Sequence, residues 1–481
     1  MTSDSDSDDD QSINWEGKLF DNRYIILKKV SYGNYASVWI TYDLHELKYY
    51  AIKIHNKNDY DAGVSESEIY NKLKPCKSKH LMTIVRSFDH ETDDGVHHCC
   101  IMDLMACSLY KLLKTKEYKN GVPFDMVMKC VYQIILGLSD LHKNKTIHRD
   151  IKPENILLSG ISNDHKQFFD ILNIDELLVN TINKTNKNAL SRPKHNKGGV
   201  SKQITDALYV KGDAIIQIAI MKNDNIKKNV ISEIKKKLEF YNSNKSEHII
   251  LSESGSSSNA SSNDSKSNIT FNSYKSVCIS PCNDNSDSES NTSHKSYKSA
   301  DLIHHDNVHV KIADMGNCIS STSVHKKTNY YTPYYRSPEM LMGMEYNDTC
   351  DMWALGCATY ELLTGKILFN PDDCDGNSRR HHLYLIVTKL GIVPTTMMEM
   401  CKNKDIFFTH DLKRIKGYKN IDFSHPLIDD LQQICQKNNV DANITTQFLD
   451  FMSKIFTYEP TNRLTSKNAL KHSLFKKYSN K

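Results

Sequence analysis

The chain has 481 residues, 39% of them apolar and 25% charged, and a net charge of +4 at neutral pH. That length allows two or three domains, and the composition is that of a globular protein with polar additions. The charge is too small to argue for nucleic acid, and no apolar run reaches the roughly 18–20 residues that span a bilayer. Thirteen cysteines without paired Cys-x-x-Cys or Cys/His spacing make neither a disulfide scaffold nor a zinc site. No N-terminal run has the form of a signal peptide. The expectation is reduced thiols in a cytoplasmic or nuclear protein, with no membrane and no direct nucleic-acid partner.

Residues 1–20 form an acidic, solvated tail: positions 1–10 hold five Asp, interleaved with Ser3, Ser5 and Ser7. Each of these serines has Asp at +1 and +3, a context that acidophilic kinases favour. Tyr24–Val30, Ser37–Tyr42 and Tyr49–His55 read as β-strands around turns. Between the first two lies Ser31-Tyr32-Gly33-Asn34-Tyr35-Ala36-Ser37-Val38, where Gly33 lets backbone amides come close to phosphate oxygens. Ala51-Ile52-Lys53 places a lysine on the inner face of a strand, where it can neutralise phosphate charge. Glu66 and Glu68 compete to orient that lysine. Glu66 shares a helical face with Ile69, Tyr70 and Leu73, whereas Glu68 shares its face with Lys72, so Glu66 is the choice. Cys100-Ile101-Met102-Asp103-Leu104-Met105 is an apolar strand, and Met126–Leu141 has helical spacing.

The most informative stretch is His148-Arg149-Asp150-Ile151-Lys152-Pro153-Glu154-Asn155. It sets a carboxylate, a cation and an amide at fixed offsets beside a rigid Pro. Such a set suits holding a hydroxyl, a phosphate and a metal ion at one point. Ile156–Leu158 and Val308–Ala313 read as short strands that can pair as a hairpin. A long insert at the hairpin tip costs little, because loop-closure entropy grows only logarithmically. From Ser252 to Ser299, 18 of 48 residues are Ser, so residues 161–306 are expected to be largely disordered. Phe168–Ile182 and Ile231–Phe240 are exceptions with amphipathic spacing that can dock on the core, the latter through Ile231, Ile234 and Leu238. Without tail and insert, a core of 315 residues remains. It comprises residues 21–160 and 307–481.

Taken together, these motifs resemble the protein kinases in their Ser/Thr form, and the core length fits their two-lobed fold. The resemblance implies an α+β architecture: a small β-rich N-lobe, a larger helical C-lobe, and a long polar insert in the C-lobe. Ser31–Val38 resembles the Gly-rich loop, with Ser31 and Ala36 replacing two of its glycines. Val30, Gly33, Val38, Ala51, Lys53, Glu66, Met102, Asp103 and Met105 then belong to ATP binding. Met102 lies at the back of the adenine pocket, and the Asp103–Met105 backbone bonds the base. The Lys53–Glu66 interval is short for the family, so the loop between them is trimmed. By the same resemblance Asp150 orients the substrate hydroxyl, Lys152 steadies the γ-phosphate, and Asn155 holds a magnesium ion. Asp314-Met315-Gly316 resembles the Asp-Phe-Gly motif, with Asp314 on magnesium. Thr332-Pro333-Tyr334-Tyr335-Arg336-Ser337-Pro338-Glu339 resembles the substrate-docking loop, whose Thr contacts the catalytic Asp and Lys. Asp351-Met352-Trp353 with Gly356 resembles the buried central helix, and Arg463 is expected to pair with Glu339.

Tyr335–Glu339 resembles the branch of cyclin-dependent, MAP, dual-specificity and SR-protein kinases. The SR-protein kinases fit closest, since they too split the core at this hairpin. Ser37-Val38-Trp39, Val310–Asn317, Leu368-Phe369 and Leu390–Pro394 extend the likeness. Two departures stand out. SR-protein kinases have Thr where this chain has Arg149, and an Arg there can receive an activation-loop phosphate, for which Thr328, Tyr330 and Tyr331 are acceptors. Their docking groove is acidic and binds Arg-Ser repeats, whereas here Asp372, Asp373 and Asp375 are followed by Arg379, Arg380, His381 and His382. The implied activity is ATP- and magnesium-dependent phosphorylation of Ser/Thr in proteins, with SR-type substrates as the narrower reading and regulators bound by the insert. The alternative is a pseudokinase scaffold; retention of Lys53, Asp150, Asn155 and Asp314 argues against it.

Overall fold

The computed structural model describes residues 13–190, 220–221, 223–253, 308–322, 332–372, 377–418 and 421–478. Ser3, Ser5, Ser7, Thr328, Tyr330, Tyr331, Asp373, Asp375 and nearly all of the Ser-rich stretch lie outside them. The chain forms two compact units. One draws on Met1–Val64, Ile84–Leu104 and Asn163–Ser273, the other on Ser65–Thr83, Met105–Ser162 and Tyr274–Lys481.

The first unit is built on an antiparallel six-stranded sheet of order β1-β2-β3-β4-β6-β5. Its strands are β1 (Leu19–Phe20), β2 (Tyr24–Tyr32), β3 (Ala36–Asp43), β4 (Lys48–His55), β5 (Ile84–Thr92) and β6 (Gly95–Asp103). Side chains alternate between two faces. On one face Trp39, Ile52, Ile54 and Ile101 join Trp15 and Phe20 in a core. On the other, Ile25, Leu27, Ile40, Tyr42 and Leu44 are buried by helices from the insert.

Those helices span Asn163–Leu172, Ile174–Leu190 and Asp224–Glu253. Much of the segment expected to be disordered is therefore helical, for a readable reason. Phe168, Leu172, Ile174, Leu178 and Ile182 are buried in one cluster with Ile226, Val230, Ile234 and Leu238. The last four recur every fourth residue and make one stripe, with Ile231 at its edge rather than in it. Polar tethers add to the apolar contact. Tyr42 donates to Asp175 at 3.2 Å, and Lys28 donates to the Tyr241 hydroxyl at 3.1 Å. The Lys227 ammonium reaches the Asn22 side chain at 2.8 Å.

The second unit is mainly helical. Ile156–Leu158 (β7) and Val310–Ile312 (β8) pair antiparallel, Ile156 opposite Ile312 and Leu158 opposite Val310. The insert thus leaves and rejoins the chain at a hairpin, as expected. The helix Phe124–Lys143 packs beside the helix Thr349–Thr364, which is buried over nearly its whole length. Gly356 lets that buried helix pack closely on the end of the helix Ala442–Ile455, since a Cβ there would stand 2.6 Å from the Ile455 methyl and 2.8 Å from the Phe456 ring. The ten cysteines among the described residues are all free thiols. Among those residues no helix is long and apolar enough to cross a membrane.

Candidate active site

The sheet positions one group of predicted residues. Val38 pairs with Lys53 across β3 and β4, and Ala51 pairs with Met102 across β4 and β6. Cross-strand partners share a face, as do residues two apart, so Val38, Ala51, Lys53 and Met102 line the same side of the sheet. It is also the side on which the insert helices cover Ile40 and Tyr42. Val30 sits in an irregularity of β2 and is 40% exposed. Gly33 closes the β2–β3 turn by donating to the Ala36 carbonyl at 2.9 Å. A side chain at Gly33 would meet nothing closer than that oxygen, at 3.9 Å, so the free fold itself does not demand glycine there. Close approach by a phosphate would. Asp103 ends β6, opposite Tyr50.

The remaining predicted residues stand in the second unit. Met105 is buried. Glu66 is buried and Glu68 exposed on the helix Tyr60–Leu73. A Cβ added at Gly316 would lie 3.7 Å from Glu66 Oε2 and 3.6 Å from Asp314 Oδ1, so these two carboxylates flank the same glycine. The Asp314 amide donates to the Tyr70 hydroxyl at 3.2 Å.

Asp150 lies at the centre. Its Oδ2 takes Lys152 Nζ at 2.8 Å and Asn155 Nδ2 at 3.0 Å, while Oδ1 takes the Thr332 hydroxyl at 2.9 Å. Lys152 also donates to Thr332 at 2.6 Å. The expected Thr–Asp–Lys contact is therefore present. Arg149 and Asp314, at φ of 70° and 64°, both occupy the left-handed region. Non-glycine residues there cost on the order of 1–3 kcal/mol each and persist only where the surroundings hold them. For Arg149 the holder is Asp351. Its fully buried carboxylate accepts the His148 amide at 2.8 Å, the Arg149 amide at 2.7 Å, and bonds His142 Nε2 at 2.9 Å. Burial opposes ionisation of Asp351, yet those bonds hold its carboxyl below the usual range. The Arg149 side chain donates to the Asn317 carbonyl at 2.6 Å and to the Tyr346 hydroxyl at 3.2 Å. Arg463 binds Glu339 in a two-pronged pair at 2.7 and 2.8 Å, with both side chains fully buried.

Two carboxylates were not singled out from the sequence. Glu154 lies inside the octapeptide, and Glu361 follows Asp351 on the same helix. Tyr335 donates to Glu361 at 2.5 Å, and Glu154 Oε2 is buried without a hydrogen bond. Burial raises both carboxyls above their usual range, and the Glu154 charge pushes Glu361 further up. The available signal was an acid placed among otherwise buried neighbours on the Asp351 helix.

The donor set suits a hard cation. Asn155 spends its amide NH₂ on Asp150, leaving its carbonyl oxygen as acceptor, and Asp314 adds a carboxylate. Magnesium is typically held by one or two such protein oxygens together with substrate phosphates. Among the described residues no cluster of three or more His, Cys, Asp or Glu could hold a metal unaided.

Residues 24–171 and 289–475 match the protein kinase domain. The chain belongs to that family. It is a protein Ser/Thr kinase whose domain is split by the insert, and the family uses ATP as phosphoryl donor, usually with magnesium. The chain is 27% identical over 489 residues to the putative serine/threonine-protein kinase L205 of Acanthamoeba polyphaga mimivirus, covering 95% of this kinase and 88% of the relative. It is 27% identical to protein kinase dsk1 of Schizosaccharomyces pombe, covering 92% and 78%. SRSF protein kinase 3 of Mus musculus is 24% identical, with 95% and 87% covered. These matches bear out the likeness to the SR-protein kinases and give no support to the pseudokinase alternative.

Proposed function

We propose that this kinase transfers the γ-phosphate of ATP to serine or threonine flanked by arginine in SR-type protein substrates. The observation that carries the substrate reading is the Glu154–Glu361 pair: Glu361 is buried, Glu154 Oε2 is buried without a hydrogen bond, and neither carboxylate has a cation in hydrogen-bond contact. An arginine beside the acceptor would relieve their repulsion and supply the missing donors. The name of SRSF protein kinase 3 points the same way.

In this reading Asp150 Oδ1 receives the acceptor hydroxyl, because Oδ2 already holds three donors, from Lys152, Asn155 and Asn317. Lys152 stands between Asp150 and Thr332, ready to bond the transferring phosphoryl group. Lys53 neutralises phosphate charge, and Val38, Ala51 and Met102 receive the adenine. Asn155 and Asp314 would hold magnesium, which neutralises charge on the nucleotide phosphates. The protein contributes positioning and fixed charge, which is most of what phosphoryl transfer asks of it.

A peptide series tests the substrate reading. Serine peptides with flanking arginines should be phosphorylated with kcat/KM at least about tenfold above their alanine counterparts, a difference of about 1.4 kcal/mol. Replacing both Glu154 and Glu361 by Gln should erase that preference while leaving the alanine peptide's rate unchanged. Equal rates on both peptides with the native kinase would overturn the arginine reading.

A further inference from the structure

One stretch of the second unit is strongly basic. Residues 377–418 hold eight Lys and Arg against three Asp and Glu, a net +5 where the whole chain carries +4. Lys402, Lys404, Lys413, Arg414 and Lys416 are exposed, and Arg379 is partly so. None of these six forms a salt bridge among the described residues. The acids nearby do little to cancel them. Asp411 takes the Thr409 hydroxyl at 2.6 Å and the Lys413 amide at 3.2 Å, and Asp405 offers Lys416 its backbone carbonyl, not its carboxylate.

The strip is held in shape from beneath. Phe407, Phe408 and Ile415 are buried, and Phe408 bridges to Ile415. Tyr384 stacks on Tyr418 at 3.8 Å, fixing the helix Ser378–Leu390 to the far end of the loop. Arg379 lies over the Phe407 ring at 5.5 Å. The strip is also continuous with the acceptor side of the site. Arg379 donates to the Leu341 carbonyl, and the Cys401 thiol contacts the Met342 carbonyl at 3.4 Å. Those carbonyls end the short helix Pro338–Leu341, which follows the loop carrying Thr332. Thr332 in turn touches Asp150.

We infer that this strip is a docking surface for an Asp/Glu-rich segment of the protein substrate, separate in sequence from the serine that is phosphorylated. Its sign is opposite to the acidic groove implied by the likeness to SR-protein kinases. The substrate is thus read by two opposite charges: arginine next to the acceptor, and an acidic tract on the strip. A protein partner is favoured over nucleic acid because the strip is built onto the element that presents the protein acceptor. Exposed cations at this density act through summed attraction, which salt screens and which alters capture more than chemistry. The inference rests on the kinase reading of the Asp150 site.

The test uses the full chain and two peptides: an arginine-flanked serine segment alone, and the same segment joined through a flexible linker to an Asp/Glu tract. The tract should lower KM about tenfold at low salt with kcat unchanged, and the gain should fade as NaCl is raised. A variant carrying Lys402→Glu, Lys413→Glu and Arg414→Glu should lose that gain while phosphorylating the plain peptide like the native kinase. Anisotropy of a labelled Asp/Glu tract reads docking without catalysis, and should show binding lost in the same variant. If the tract binds but the plain peptide is not phosphorylated, the substrate reading fails and the docking surface stands. Equal KM for the two peptides, an unchanged gain in the variant, or displacement of the tract by a single-stranded RNA 20-mer at lower concentration than by unlabelled tract overturns the inference.

Discussion

Asp150 is held by four side chains, Lys152, Asn155, Asn317 and Thr332, and they divide between its two oxygens. Lys152, Asn155 and Asn317 bond Oδ2, whereas Thr332 alone bonds Oδ1. Thr332→Ala should therefore leave folding intact and lower kcat by roughly tenfold, with Thr332→Ser recovering most of it, as steady-state kinetics on both variants would show. Glu154 makes a prediction about pH. Burial raises its carboxyl above the ordinary value of 4.5, so the folded protein binds that proton more tightly than the unfolded chain does. The associated stability is fully present below 4.5 and is lost as pH rises through the raised value. Glu154→Gln should accordingly stabilise the kinase near pH 7 and give no gain near pH 4 in urea titrations. Most site residues were legible because their motifs are contiguous: Asp150, Lys152 and Asn155 lie within one octapeptide. The burial of Glu66 and exposure of Glu68 were also legible, since helical spacing placed Glu66 on the apolar side. Glu154 and Glu361 were not, because the repulsion between them arises only in the packed chain.

The insert helices show how elements depart from composition. Their apolar residues are diluted by Lys, Asn and Asp, and the surface they bury, Ile25, Ile40 and Tyr42, lies more than a hundred positions earlier in the chain. Local spacing suggested short docking helices at Phe168–Ile182 and Ile231–Phe240, but it underestimated both. Strands β2, β3 and β4 and the β7–β8 hairpin were read within two residues, because alternation and turn signals are local, whereas β1 and β5 were not read and β6 begins five residues before Cys100. Ile234 is fully buried between the insert and the sheet. Ile234→Ala should cost about 2–5 kcal/mol in the stability of the sheet-bearing unit, visible as an earlier denaturation phase. The Arg463–Glu339 pair anchors the other unit. Since both groups are fully buried, Arg463→Met leaves a carboxylate uncompensated and should cost about 3–5 kcal/mol, measured by chemical denaturation.

Across the whole molecule, the catalytic residues come from short motifs strung along more than two hundred and fifty positions, and the family match spans both sides of the insert. The net charge of +4 gave no hint of how unevenly it is spread. The central claim is that Asp150 and its neighbours catalyse phosphoryl transfer from ATP to protein serine or threonine. The most direct measurement is transfer of labelled γ-phosphate from ATP with magnesium to arginine-flanked serine peptides, run in parallel with the native chain and Asp150→Ala. Phosphoserine should form with the native chain, and the variant should be slower by about 10²–10⁴-fold at unchanged thermal stability. Equal incorporation by both proteins, or none by either, would contradict it.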